Sequence, residues 1–114
     1  MKEFTTVCKA LSDTNRVRIV KMLEIKPLCV CEITDVLRLA PSTVSKHLSI
    51  LKSAGLVFEQ RENRWVNYHL NRATTKPCAG IMLNTIKTQC TDDPIIREDK
   101  SKVKHINRMD ICSR

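Results

Sequence analysis

Apolar residues recur at intervals of three to four over the first half of the chain, the spacing of helices with one buried face. Phe4, Val7, Cys8 and Leu11 mark a short helix over residues 3–11, too short to stand without packing on a neighbour. Ser12 or Asp13 is placed to cap a second helix that runs to about Leu23 or Glu24. Val17, Ile19, Val20, Met22 and Leu23 supply its buried face, and Arg16, Arg18 and Lys21 are expected on a solvated one. Pro27 breaks the chain.

The stretch from Cys29 to Leu56 holds two further helical segments. Val30, Ile33, Val36 and Leu37 share one face of the first. Leu39-Ala40-Pro41 interrupts it, because Pro41 lacks a donor and disfavours helix in the residue before it. Ser42 is then expected as N-cap of the second, with Val44, Leu48 and Leu51 on its inner face and Gly55 at its end. Two short helices joined by a tight turn form a helix-turn-helix, whose second helix commonly enters the DNA major groove.

Beyond Gly55 the pattern becomes that of strands. Residues 56–60 are rich in β-formers, Arg61-Glu62-Asn63-Arg64 reads as a polar turn, and Trp65 to Leu70 alternates. A hairpin in this place is a wing, and Arg61 and Arg64 at its tip are positioned for the minor groove or the phosphates. Helical spacing returns from about Asn71 to Cys90 (Ala79, Met82, Leu83, Ile86), with Pro77 near the start. Asp92-Asp93-Pro94 opens a last charged helix. Its thin stripe of Ile96, Val103 and Ile106 suits packing against another helix or subunit, or a tail that frays. The predicted architecture is mainly α with a β-hairpin wing, a winged helix-turn-helix. Residues 1–90 form the DNA-binding and dimerisation domain, and 91–114 a charged C-terminal helix or tail.

Composition sharpens this. With 114 residues and 4% aromatics the core is small and aliphatic, which favours a homodimer. A formal net charge of +8 suits a polyanion, where lysine and arginine displace condensed counterions. Six cysteines accompany an N-terminus without a signal-peptide core, and no run nears the roughly 18 apolar residues of a membrane span. The expectation is a cytoplasmic protein with reduced thiols and no membrane partner. Cys29-x-Cys31 is not the Cys-x-x-Cys of thiol oxidoreductases, and two glycines leave no phosphate-cradling loop, so no enzyme is expected.

On the second helix of the motif, Ser42, Thr43, Ser45, Lys46 and Ser49 are candidates for phosphates and base edges. His47 either contacts the DNA backbone or buttresses the helix. Cys29 and Cys31, at the mouth of the first helix, are candidate ligands for a soft metal or metalloid. Residues two apart point about 200° apart on a helix of roughly 3.6 residues per turn, but to the same side in extended chain. One ion that joins both sulfurs therefore has to distort the helix start. That helix packs on the DNA-reading one, so ion and operator favour different conformations and each weakens the other.

Three stretches resemble one family. Residues 10–19, ALSDTNRVRI, are similar to the opening signature of the ArsR/SmtB metalloregulators, and Leu28-Cys29-Val30-Cys31-Glu32-Ile33 is similar to their two-cysteine box. Pro41-Ser42-Thr43-Val44-Ser45-Lys46-His47-Leu48-Ser49-Ile50-Leu51, with Ala54-Gly55-Leu56-Val57 after it, resembles their recognition helix. The resemblance, over roughly residues 8–70, implies a homodimeric repressor of a metal(loid)-resistance operon that leaves its operator when inducer binds. The two-cysteine box implies trivalent arsenic or antimony on Cys29 and Cys31, with cadmium, lead or zinc as the alternative, and no cofactor for DNA binding itself. In arsenic-responsive relatives a third cysteine often follows three residues later, where this chain has Thr34. Two thiolates with a small ligand, or with a third thiol from a terminal segment (Cys8 or Cys112), are then the alternatives for the site. Cys8, Cys78 and Cys90 are otherwise expected to pack in or near the core. The helix that carries zinc ligands in zinc-sensing relatives has neither His nor Asp here.

Overall fold

The computed structural model describes residues 1–112. In chain order the elements are α1 (Lys2–Ala10), α2 (Thr14–Leu23), α3 (Val30–Leu37), α4 (Pro41–Ser53), β1 (Val57–Glu62), β2 (Trp65–Leu70), α5 (Pro77–Lys87), α6 (Pro94–His105) and α7 (Arg108–Cys112). The predicted mainly helical chain with one hairpin is what forms. No described helix is long and apolar enough to cross a membrane.

Asp13, not Ser12, caps α2: its Oδ1 accepts from the backbone N–H of Asn15 at 2.8 Å and of Arg16 at 3.1 Å. Burial pushes this carboxyl up, but the Arg16 N–H, the nearby charges of Arg16 and His47 and the Asn15 N–H outweigh it, and its pKa is lowered. The N-cap of α4 is Ala40, with Pro41 as first helical residue, which corrects the assignment to Ser42. Proline suits that position because its missing N–H would have no helical partner and its φ is already set. Gly55 follows the helix with φ +80°, a conformation that costs other residues.

The strands pair antiparallel from Val57↔Leu70 to Glu62↔Trp65. The turn is therefore Asn63-Arg64 alone, with Asn63 at φ 60°, and Arg61 belongs to β1 rather than to the turn. Leu28 extends this small sheet: its N–H donates to the Tyr68 carbonyl at 3.2 Å and its carbonyl accepts from the Tyr68 N–H at 2.8 Å. The residue just before Cys29 is thus stitched to the wing.

The helix foreseen over 71–90 is shorter, Pro77–Lys87; residues 71–76 form turns, and Cys90 is exposed with φ 60°, not part of the core. The core joins Ile19, Val20 and Met22 of α2 to Ile33 and Val36 of α3, Val44, Leu48 and Leu51 of α4, and Leu28 and Leu56. Helix α6 lays Ile96 and Val103 against this body, packing on α2 and α3 of its own chain.

The three cations of α2 are not a solvated face. Arg16 Nε donates to the Ala10 carbonyl at 2.8 Å, so it closes the end of α1. Arg18 holds Asp99 of α6 through two bonds of 2.7 and 2.9 Å. Lys21 is fully buried; its Nζ donates to the Ile86 carbonyl at the end of α5 at 2.8 Å and lies 3.1 Å from Glu24 Oε1. Lys100 reaches the same Glu24 oxygen at 3.0 Å. Removing one partner of a buried ion pair strands the other polar groups. Lys21→Ala is therefore expected to cost about 3 kcal/mol. Urea unfolding checks this; a midpoint unchanged from the parent contradicts the buried role.

Candidate nucleic-acid interface and thiol site

Helix α4 divides into two faces. Val44, Leu48 and Leu51 are buried, while Ser42, Thr43, Ser45, Lys46 and Ser49 are all exposed. The polar candidates thus form one open face, joined by Ile50, an exposed apolar side chain that the sequence pattern did not single out. His47 is half-buried, and its Nδ1 lies 3.1 Å from Arg16 Nη1. That contact joins α4 to α2. Lys52, also overlooked in the sequence, binds Glu59 of β1 and so ties the end of α4 to the wing. The hydrogen bond with Glu59 raises the Lys52 pKa and, reciprocally, lowers that of Glu59. Tyr68 Oη donates to the second oxygen of Glu59 at 3.4 Å.

The two wing arginines differ. Arg61 is exposed on β1 opposite Val66. Arg64 stacks its guanidinium 4.9 Å from the centre of the Trp65 ring and donates to Met109 Sδ of α7 at 3.5 Å. The C-terminal segment therefore touches the wing, a proximity with no signal in the sequence.

The two cysteines sit differently from a pair on one helical turn. Cys29 is the N-cap of α3, in extended conformation with φ −90° and ψ 169°, and only Cys31 lies within the helix. Cys29 is 5% exposed, whereas Cys31 is open to solvent. Glu32, buried at the third helical position, completes a reciprocal capping box: its Oε1 accepts from the Cys29 N–H at 3.0 Å, and the Cys29 side chain faces the Glu32 N–H. The conflict expected between a shared ion and an intact turn becomes one between ligation and capping. A sulfur that turns outward to join Cys31 leaves the N–H it faces.

Among the described residues no group of three His, Cys, Asp or Glu side chains is arranged to hold a metal ion. Thr34 places a buried Oγ1 without a hydrogen-bond partner on α3. Cys8 is half-buried on α1, as is Cys78 on α5. The Cys112 side chain lies outside the described residues.

Residues 13–58 match the family described as bacterial regulatory protein, arsR family. An arsenic resistance transcriptional regulator of Pseudomonas putida is 37% identical over 75 residues, 62% of this chain and 59% of that protein. An uncharacterized HTH-type transcriptional regulator of Methanocaldococcus jannaschii is 42% identical over 65 residues, 56% of this chain and 73% of the relative. A cadmium resistance transcriptional regulatory protein of Staphylococcus aureus is 38% identical over 66 residues, 57% of this chain and 54% of that protein. The chain thus spans little more than half the length of the first and third of these relatives. Among solved structures, HlyU from Vibrio cholerae superposes with a TM-score of 0.64 at 29% identity, covering 78% of this chain and 94% of that one.

Proposed function

The chain belongs to the arsR family of bacterial regulatory proteins, and from that premise we propose that it is a homodimeric repressor of a metal(loid)-resistance operon, released from its operator when trivalent arsenic or antimony binds Cys29 and Cys31. The observation that carries the sensing half is the contrast at the start of α3, with one thiol buried as the helix cap and the other exposed two residues on. Both thiols have to be deprotonated to hold one ion. Drawing the Cys29 sulfur out to Cys31 opens the cap. Helix α3 packs on α4, so the opened start moves the DNA-reading face. A relative named for arsenic resistance supports the choice of ion, and the relative named for cadmium resistance keeps that ion as the alternative.

In this reading Ser42, Thr43, Ser45, Lys46 and Ser49 meet the major groove, His47 supports them from behind, and Arg61 and Arg64 meet the flanking backbone. Phe4 and Ile81 are exposed apolar side chains on α1 and α5, two helices that pack together, and exposed apolar surface on this helix pair favours a second copy there. To read two half-sites, two copies have to set their α4 helices about one DNA turn apart, roughly 34–36 Å, so a small shift in each subunit acts on both half-sites.

Operator release measured against arsenite, antimonite, cadmium, lead and zinc in parallel tests the reading. Release at the lowest concentration by arsenite or antimonite is the expected result; cadmium, lead or zinc in first place selects the alternative, and no release by any of the five overturns the proposal. Lys46→Ala is expected to weaken binding across operator sequences and to lower the salt slope by about 1. An unchanged slope removes Lys46 from the phosphate contacts.

A further inference from the structure

One short chain of hydrogen bonds leads from the cap of α3 to the wing. The Cys29 N–H donates to Glu32 Oε1 at 3.0 Å. The same oxygen accepts from Arg108 Nη2 of α7 at 2.9 Å, and the same nitrogen donates its other hydrogen to Asn67 Oδ1 of β2 at 2.8 Å. Glu32 and Asn67 are 2% and 5% exposed, so neither has water as an easy substitute partner. The Arg108 guanidinium also lies 5.0 Å from the centre of the Trp65 ring. We propose that Arg108 is the positioning residue through which the thiol site and the wing are coupled: its single guanidinium fixes the Glu32 carboxylate that caps Cys29 and, at once, the strand that carries the wing.

This inference rests on the sensing role of Cys29 for its biological meaning, but not for its physical content. The carboxylate oxygen is shared, so its two donors depend on one another. When Cys29 leaves the cap, one of the two donors that position Glu32 Oε1 is gone, and a turn of that carboxylate carries the Arg108 guanidinium with it. Arg108 then lets go of Asn67 and of the Trp65 face. The Leu28–Tyr68 backbone pair keeps the two elements adjacent throughout, so the side-chain link is what can switch. Arginine suits the role because a planar guanidinium donates in two directions and stacks on an aromatic ring together.

The test uses the full chain and two variants. Asn67→Ala touches neither cysteine nor Glu32 and cuts the far end of the link; Arg108→Gln removes its centre. Trp65 is the one tryptophan, so its emission reports on the link directly. Amide hydrogen exchange at Cys29 reports on the cap. Both variants are expected to shift Trp65 emission and to speed Cys29 exchange by about tenfold, with far-UV circular dichroism unchanged. Arsenite added to the parent is expected to shift the emission in the same direction, and to do so no further in Arg108→Gln. Exchange at Cys29 that stays at the parent rate in folded Asn67→Ala overturns the proposal. If both variants loosen Cys29 while arsenite leaves emission and operator binding of the parent untouched, the coupling stands and the identity of the inducer is what fails.

Discussion

Replacing Cys29 and Cys31 together by serine is expected to abolish release of the operator by arsenite while leaving operator affinity without inducer within about threefold of the parent. Couplings of this kind are worth about 1–3 kcal/mol, a change of roughly 5–150-fold in affinity, and the double variant should bring that ratio to about one. The asymmetry of the site argues for retained affinity. Position 29 is an N-cap, and serine is a better N-cap than cysteine, so the inducer-free start of α3 is kept or made firmer. Position 31 is exposed, and a hydroxyl there disturbs no packing. Soft ions bind hydroxyls poorly, so the ligand set goes while the fold stays. The single variants divide the mechanism. In the proposed mechanism Cys31→Ser removes an outward ligand and leaves the cap alone, and Cys29→Ser removes the group whose displacement transmits the signal. Mobility shift or fluorescence anisotropy with and without arsenite reads the ratio. Full release surviving in the double variant would sink the assignment of this pair.

Much of the fold was legible because it rests on local rules. The inner faces of α2, α3 and α4 follow from helical spacing, the end of α4 from Gly55, and the wing from alternation in residues 65–70. Some errors are local boundaries, such as the N-cap of α4 and the place of Arg61 in β1; the misread cations of α2 are errors of another kind, where a partner comes from far along the chain. Arg18 meets Asp99, 81 residues away, and Lys21 meets the Ile86 carbonyl, 65 residues away. Spacing within α2 cannot distinguish such cations from solvated ones. The thiol pair was visible as a motif, but which sulfur is inside was not, since that depends on α3 beginning at Val30 rather than before Cys29. Glu32, three residues after the cap, is the acidic half of a capping-box signature, but Cys29 stands where Ser or Thr marks its start. Arg108 carried none: its meaning comes only from α7 lying against both α3 and β2.

Thr34→Cys is expected to lower the arsenite concentration for half-release by about tenfold or more, because trivalent arsenic gains a third soft ligand. Positions 31 and 34 are three apart on α3 and share a face of the helix. Their sulfurs can approach one ion with the helix intact; Cys29, outside the helix, has to move to join them. The substitution costs little stability, since Thr34 Oγ1 is buried without a hydrogen-bond partner and its loss breaks nothing. Combining it with Cys29→Ser separates binding from response. The resulting pair at 31 and 34 holds arsenite without opening the cap, so the double variant is expected to bind the ion and stay on the operator. Thiol titration would show the binding, and a mobility shift the retained complex. Release as complete as that of the parent, in a chain that lacks the Cys29 sulfur, would mean that ligation anywhere on α3 is enough and that the cap is not the switch.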